Sequence, residues 1–253
     1  MRLELFAPKN FPLVEPGDGL PELVMDCMRA GDIALRNGDV LVLAQKIVSK
    51  SENRIVSLAD IEPSEKAKDL ASECDKDARL VQLILNESSE VLRCVPGVII
   101  VRHKLGFVLA NAGIDHSNVA ADAAGERVLL LPEDPDQSAR QLRQALERKT
   151  GLELAVIIND SFGRPWRLGT TGVCIGCDGI ASLIDKRGDH DLFDQELIVT
   201  QVALGDELAS AASILMGQAD EARPLVVLRG LEFPREPASA DHLLRPPDED
   251  LFL

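Results

Sequence analysis

The apolar residues of this chain are concentrated in short runs that polar or glycine-rich segments separate. The most apolar run covers residues 154–158, and runs of similar length cover residues 40–44 and 225–228. Apolar runs this short favour buried β-strands, whereas a helix that crosses a membrane needs about 20 apolar residues. The sequence therefore predicts a folded protein with a buried sheet and no membrane segment.

The rest of the chain mixes strand and helix patterns without strict alternation. Short apolar or alternating segments predict further strands at residues 3–6, 98–101, 106–109, 128–131 and 197–199. Apolar residues at helical spacing predict helices at residues 20–30, 64–73, 78–87, 136–148 and 205–216. This order favours an α+β fold with a mixed sheet over a doubly wound parallel sheet. Residues 234–253 form an acidic, proline-rich tail that we expect to be mobile or surface-bound.

Composition limits the class of partner. Hydrophobic residues make up 45% of the 253 residues, which indicates a globular protein. The formal net charge is −15, and a nucleic-acid binder would instead carry a basic stripe. An anionic substrate would be repelled on approach. Any phosphate site must therefore be made locally positive by metal ions or by a few lysines and arginines.

The five cysteines are scattered along the chain. An odd, scattered set does not fit a secreted disulfide framework, and the N-terminus lacks a long apolar signal core. We therefore expect a cytoplasmic protein. Cys174 and Cys177 form a CxxC pair, but no second pair exists to complete a zinc site. The pair could be redox-active, although two small buried side chains are the favoured interpretation.

The polar segment at residues 159–167 directly follows the most apolar predicted strand. Asp160 supplies a hard oxygen ligand for magnesium or manganese, and Ser161 adds a hydroxyl beside it. Arg164 and Arg167 could bind phosphates or carboxylates in bidentate fashion. The same residues also fit a strand-exit turn in which Asp160 caps backbone amides. The segment alone does not decide between a metal site and a structural turn.

Two further polar segments follow predicted strands. Residues 111–118 contain Asp115 and Asn118, a potential metal and nucleotide pair, whereas His116 is expected to point into solvent. Residues 45–50 contain Lys46 and Lys50, which would share a face on a helical turn and could meet phosphates. Paired lysines more commonly mark a solvated surface. Polar loops held at strand ends are nevertheless common positions for functional sites.

Several familiar motifs do not occur. The chain has no GxxxxGK[ST] segment, which excludes a P-loop, and it has neither a GxGxxG nor a GxSxG motif. Residues 216–219 follow a predicted helix and by themselves suggest an ordinary C-terminal cap.

Taken together, these segments resemble one family, the coenzyme F-420-0:L-glutamate ligases, also called gamma-glutamyl ligases. The resemblance runs in order from residue 3 to about residue 230. The segments that carry it are residues 45–50, 106–108, 111–115, 131–136 and 160–167.

The resemblance implies a mixed-sheet fold with two intertwined α/β subdomains, in one catalytic unit over residues 1–233. It implies a homodimer that uses GTP, two Mg²⁺ or Mn²⁺ ions and K⁺. By position, Asp115 and Asp160 would hold one metal, and Ser161 and Gln218 the second. The residues implied to surround the nucleotide are Phe11, Pro12, Leu13, Val14, Gln45, Lys46, Lys50, Asn118, Met216, Gly217, Gln218, Ala219, Asp220, Glu221, Ala222 and Arg223.

The implied reaction joins the amine of L-glutamate to a carboxylate of coenzyme F-420-0 through an acyl phosphate. Arg164 and Arg167 are our own candidates for binding anionic groups of the acceptor or of glutamate. The sequence departs from the family at Asn159, where serine is usual, at residues 168–171, and at Asp194, where glycine is frequent. These departures leave open a related ligase with a different acidic acceptor. An inactive nucleotide-binding homologue is the third interpretation.

Overall fold

The computed structural model describes residues 2–117, 125–234 and 239–250. The strands in these ranges are β1 Glu4–Phe6, β2 Val40–Ala44, β3 Ile55–Ser57, β4 Ser88–Val95, β5 Val98–His103, β6 Val108–Ala110, β7 Arg127–Leu129, β8 Ala155–Arg164, β9 Arg167–Asp178, β10 Ile184–Asp185, β11 Gln201–Val202 and β12 Leu225–Arg229. The α-helices are α1 Leu20–Ala30, α2 Gln45–Ser51, α3 Glu65–Cys74, α4 Ala78–Asn86, α5 Pro135–Thr150 and α6 Leu204–Met216.

The main sheet contains five strands in the order β1-β12-β2-β8-β9. Strands β2 and β8 run parallel, whereas the other neighbouring strands run antiparallel. This mixed sheet, combined with helices, confirms the predicted α+β fold class. The parallel register pairs Ala44 with Asn159, so the points at which both strands change from apolar to polar sequence lie side by side.

Helices cover both faces of the main sheet. In β2, Leu41 and Leu43 belong to a core shared with α1 and α5, whereas Val40 and Val42 belong to a second core shared with α6. Successive side chains of a strand point to opposite faces. A strand buried on both faces therefore carries a continuous apolar run, which explains why the run predicts this strand so well.

A smaller sheet lies between β2 and β8 in the sequence. Its strands are ordered β4-β5-β6, and α3 and α4 pack on it around a separate core. Strands β3 and β7 form an antiparallel pair beside it. The division of the chain into a catalytic unit, two intertwined subdomains and a tail stays a prediction.

One predicted strand was wrong, and four strands, β3, β4, β9 and β10, were not predicted. Strand β4 was not predicted, because its mixed polar sequence on a largely exposed strand lacks an apolar alternation. Residues 197–199 do not form a strand, and β11 begins at Gln201 instead. The side chains of Ile198 and Val199 are 78% and 83% exposed. That apolar run therefore marks surface rather than core.

Two segments predicted as loops are regular elements. The polar residues after β2 form helix α2. The segment at residues 159–164 continues β8 and pairs with β9, with Asp160 opposite Val173 and Ser161 opposite Gly172. Strand pairing uses backbone groups, so polar side chains can extend a strand beyond its apolar run. The sequence does not reveal this extension, because the side chains become polar from Asn159 while the backbone pairing continues.

Helix bounds follow the local capping chemistry. Helix α1 has the predicted bounds and a proline in its first turn. Helix α5 begins after Asp134, whose carboxylate accepts the Gln137 N–H at 2.9 Å, and ends before Gly151, whose φ is 70°. No helix in the described ranges is both long and apolar enough to cross a membrane.

The described part of the tail packs against α5. Ala240 is buried. The Asp136 carboxylate accepts hydrogen bonds from Ser239 Oγ at 2.6 Å and from the Ala240 N–H at 3.0 Å. One carboxylate of α5 therefore fixes the start of the 3-10 turn at Ala240–Leu243.

A buried ion pair joins two neighbouring strands of the main sheet. Asp39 is fully buried just before β2. Its oxygens accept from Arg229 Nε at 2.8 Å and Arg229 Nη2 at 2.7 Å, and also from the Arg36 N–H at 2.8 Å. The Arg229 guanidinium stacks 5.1 Å from the centre of the Phe6 ring. The pair thereby connects β1, β12 and the start of β2.

We expect Arg229→Met to lower the free energy of unfolding by about 3 kcal/mol, because it leaves Asp39 buried without its counter-charge. Urea denaturation at pH 7.5 measures the change. The control is Arg187→Met, which removes an exposed arginine paired with Asp185 and should cost less than about 1 kcal/mol. Equal losses in the two variants would contradict the prediction.

Candidate functional site

A cavity of about 580 Å³ opens where β2 and β8 become polar. Parallel strands place their carboxyl ends at one edge of a sheet, and such edges commonly hold ligand sites. Helix α2 and the segment after α6 close the sides. The lining residues are Phe11, Pro12, Leu13, Val14, Ala44, Gln45, Lys46, Ile47, Lys50, Asp115, Asn159, Asp160, Ser161, Thr170, Met216, Gly217, Gln218, Ala219, Asp220, Glu221, Ala222, Arg223 and Pro224.

The cavity brings together residues from five distant parts of the sequence. Every residue that the resemblance implies for nucleotide or metal binding lies on its wall, except Asn118, which lies outside the described residues. The roles of these residues stay predictions. Arg164 and Arg167 are not on the wall, and Arg164 Nη1 donates to the Gly169 carbonyl at 3.4 Å. The structure therefore does not bring the two arginines to this cavity.

Sequence reasoning missed five residues of the wall. These residues are Ala44, Ile47, Asn159, Thr170 and Pro224. Ala44 and Asn159 are partners in the parallel register. Thr170 faces Gly163 across the hairpin of β8 and β9. Recognising the polar segment as a strand would have placed Thr170, because hairpin pairing fixes which residues of β9 lie opposite β8.

Asp115 is held in place by backbone and side-chain contacts. Its backbone forms an isolated bridge with Leu129, with N–O distances of 3.0 and 2.9 Å. Its carboxylate accepts from Lys46 Nζ at 2.6 Å through Oδ2 and from the Ser117 N–H at 2.6 Å through Oδ1. Burial raises the pKa of Asp115, but the hydrogen bonds from Lys46 and Ser117 outweigh it and lower the pKa below its usual value.

Asp160 lies in a different electrostatic environment. Burial, together with the nearby negative charge of Asp115, raises the pKa of Asp160 to about 6. The Ser161 N–H and the charge of Lys46 oppose this shift without cancelling it. The ionised Asp160 carboxylate is therefore poorly compensated, and a cation bound beside it would stabilise its charged form.

Asn159 connects the wall of the cavity to helix α6. It is buried, and its Nδ2 lies 3.2 Å from Ser213 Oγ and 3.5 Å from Met216 Sδ. A side chain at Gly172 would overlap Ser213, the Ala209 carbonyl and the Asn159 amide. The close approach of β9 to α6 therefore requires glycine there. This packing fixes the end of α6, from which the cavity segment at residues 216–224 begins.

The segment after α6 turns at Gly217, whose φ is 75°. The Glu221 carboxylate folds back and accepts the Ala219 N–H at 2.9 Å. Backbone N–H groups, that of Ala219 first, lower the pKa of Glu221. A β-carbon at position 217 would overlap this carboxylate. Glycine is therefore needed at Gly217 for the backbone conformation and for the position of Glu221.

The donor set suits a hard divalent cation. The cavity carries the Asp115 and Asp160 carboxylates, the Ser161 hydroxyl and the Gln218 amide, and oxygen ligands of this kind hold Mg²⁺ or Mn²⁺. The poorly compensated charge of Asp160 points to the same type of ligand. Within the described residues no group of three or more His, Cys, Asp or Glu side chains could hold a metal. The Ser161 hydroxyl and the Gln218 amide would supply neutral oxygens beside the two carboxylates.

The fold and the cavity define a mixed-sheet α+β protein with carboxylates and lysines facing one another at a strand-end cavity. Residues 9–230 match the sequence model of the family described as F420-0:Gamma-glutamyl ligase. The chain belongs to this family.

Curated relatives match over nearly the whole chain. The coenzyme F420:L-glutamate ligase of Methanopyrus kandleri is 47% identical over 94% of this chain and 93% of its own length. The enzyme of the same name from Methanothermobacter thermautotrophicus is 44% identical over 100% and 99%, respectively. That of Archaeoglobus fulgidus is 41% identical over 100% and 97%.

We expect Asp160→Asn to stabilise the protein in the presence of EDTA. The pKa of Asp160 is about 6 in the folded state against 3.8 for an unperturbed aspartate. Ionisation therefore destabilises the folded state above pH 3.8, and the full cost, roughly 3 kcal/mol, is present above pH 6. Removing the charge should raise the free energy of unfolding by about this amount at pH 8.

Denaturation with urea at pH 8 and pH 5 measures this effect. The advantage of the variant should shrink as the pH falls below 6, because the wild-type carboxyl becomes protonated. The exposed Asp189→Asn serves as the control and should show no such gain. A variant that is less stable than the wild type at pH 8 in EDTA would refute the prediction.

Proposed function

We propose that this protein is a GTP-dependent ligase that joins the amine of L-glutamate to a carboxylate of coenzyme F-420-0. The reaction proceeds through an acyl phosphate and releases GDP and phosphate. Family membership supports the ligase activity. The observation that carries the nucleotide assignment is the convergence of Asp115, Asp160, Lys46 and Lys50 on one cavity of about 580 Å³. Cavities of roughly 300–1,000 Å³ are typical of small-molecule sites.

The chain's own residues give the cavity the polarity that the nucleotide requires. Lys46 and Lys50 lie one helical turn apart on α2 and both line the cavity, so their ammonium groups can bind phosphates. Asp115 and Asp160 would hold one divalent metal, and Ser161 and Gln218 a second. Bound Mg²⁺ or Mn²⁺ neutralises phosphate charge and orients the transferred group. The K⁺ requirement is part of the same proposal.

The acyl phosphate is needed because a free carboxylate lacks a good leaving group. A carboxylate does not react with an amine near neutral pH, because oxide is a very poor leaving group. In the proposed reaction, an oxygen of the acceptor carboxylate attacks the γ-phosphorus of GTP and the bond to the β-phosphate oxygen breaks. The glutamate amine then attacks the acyl carbon, loses a proton and expels phosphate. Further γ-linked glutamates could be added by the same steps.

The positions of the acceptor and of glutamate are less constrained. Arg164 and Arg167 sit at the tip of the β8–β9 hairpin, beyond the wall of the cavity. They remain our candidates for the anionic groups of the acceptor or of glutamate. In that role they would act at the rim of the site, where an extended substrate leaves the cavity.

One assay separates the three candidate functions. Purified protein is incubated with GTP, Mn²⁺, L-glutamate and the F-420-0 precursor, and the products are identified by mass spectrometry. A glutamylated precursor together with GDP supports the proposal. Turnover of GTP only with another acidic acceptor indicates a related ligase. Nucleotide binding without any turnover indicates an inactive homologue.

We expect Asp160→Ala to reduce ligation by at least about 100-fold while leaving the protein folded, because it removes a carboxylate proposed to bind metal. The rate of GDP release gives the activity, and circular dichroism gives the fold. Asp189→Ala is the matched control, since Asp189 is exposed and forms a surface ion pair with nearby Lys186. Wild-type activity in Asp160→Ala would remove the metal assignment.

We also propose that the protein forms a homodimer. Large apolar side chains are exposed at the β8–β9 hairpin tip and in the segment between β10 and β11. They are Trp166, Leu168, Leu192, Phe193, Ile198 and Val199. Exposed apolar groups on this scale are typical of protein interfaces. A second copy of the chain would bury them.

We expect the double variant Leu168→Glu/Ile198→Glu to be monomeric, because two buried charges would destabilise an apolar interface. Light scattering after gel filtration gives the molar mass. Val95→Glu, in the smaller sheet, is the control and should retain the wild-type mass. A wild-type protein that is monomeric at micromolar concentration would contradict the dimer.

A further inference from the structure

The ammonium of Lys46 lies against a carboxylate that faces the cavity. Lys46 belongs to the first turn of α2. Its Nζ is 2.6 Å from Asp115 Oδ2 and 2.6 Å from Ser117 Oγ. The other carboxylate oxygen of Asp115, Oδ1, accepts the Ser117 N–H at 2.6 Å. Both oxygens of Asp115 are therefore engaged by donors of the chain itself.

We propose that the Lys46 ammonium and a divalent cation compete for the Asp115 carboxylate, and that the phosphates of the nucleotide relieve this competition by drawing Lys46 away. The inference rests on the proposed function, because it assumes that Asp115 is a metal ligand. It adds a role for Lys46: this residue couples metal binding to nucleotide binding.

Distance and charge require the competition. A Mg²⁺ ion binds carboxylate oxygens at about 2.1 Å. An ion on the oxygen that already accepts from Lys46 would lie within about 5 Å of the ammonium. The ion carries two positive charges, the ammonium carries one, and the carboxylate offers a single negative charge to both. The site is partly buried, so water screens the repulsion less than it would at the surface.

The structure also provides a second position for the ammonium. Lys46 and Lys50 lie one turn apart on α2 and line the same cavity. A phosphate bound between them would offer oxygens that Lys46 can reach by rotating its flexible side chain. Asp115 would then be available to the metal. Metal and nucleotide would consequently each strengthen the binding of the other, as thermodynamic linkage requires.

Binding of Mn²⁺ to the intact protein tests the competition without any turnover. Electron paramagnetic resonance of free Mn²⁺ gives the dissociation constant for wild type and for Lys46→Met. We expect the variant to bind Mn²⁺ at least about tenfold more tightly, which corresponds to 1.4 kcal/mol. Lys186→Met removes one positive charge from an exposed pair with Asp189 and should leave the constant within about twofold of the wild type.

Two further variants locate the effect. Lys46→Gln retains a polar side chain, and it should reproduce the gain even if Lys46→Met is poorly folded by circular dichroism. The double variant Lys46→Met/Asp115→Asn should lose the gain, because the carboxylate for which Lys46 competes is removed. A gain that persists in the double variant would place the Mn²⁺ elsewhere and overturn the inference.

The coupling to nucleotide is measured by repeating the titrations with saturating GDP, corrected for the association of Mn²⁺ with free GDP. The factor by which GDP tightens Mn²⁺ binding should be about tenfold smaller in Lys46→Met than in wild type. Unchanged or weaker Mn²⁺ binding in the Lys46 variants overturns the inference. So does the absence of Mn²⁺ binding in every protein. The proposed ligase activity is judged separately, by glutamylated product.

Discussion

The parallel pairing of β2 and β8 is the interaction on which the candidate site depends. It is the only parallel contact among the described strands of the main sheet, and its register places Ala44 beside Asn159. Since both strands become polar at these residues, helix α2 and the polar half of β8 emerge next to each other. Lys46 and Asp160 then face a common cavity although they lie 114 positions apart in the sequence.

Charge is distributed unevenly between the cavity and the rest of the molecule. A chain with a net charge of −15 keeps Lys46 and Lys50 at the same cavity as Asp115 and Asp160. The two aspartates differ because Asp115 has hydrogen-bond donors on both oxygens, whereas Asp160 is half-buried beside a like charge. A cation bound at the two aspartates and a phosphate bound at the two lysines would compensate both sets of charges.

The sequence predicts those parts of the structure in which side-chain pattern and backbone conformation agree. Leu41 and Leu43 alternate with Val40 and Val42 in a strand buried on both sides, so the apolar run alone identifies β2. The pattern fails at Asn159, where β8 continues by backbone pairing while its side chains become polar. It also fails for the cavity, because residue spacing contains no information about which strands are neighbours. The family resemblance supplied that information, and it named most of the wall residues but not Ala44, Ile47, Asn159, Thr170 and Pro224.

The hairpin of β8 and β9 runs from the cavity wall to an exposed tip, and its pairing register shifts between Gly163 and Arg164. Near the wall Asp160 pairs with Val173, and at the tip Arg164 pairs with Arg167. Trp166, at the turn, is 90% exposed and has a positive φ of 62°. Asp160 and the tip residue Arg164 belong to the same strand, so a contact that restricts the tip also restricts the strand that carries Asp160. A contact that restricts the tip therefore also stiffens the wall of the cavity, although it touches no ligand.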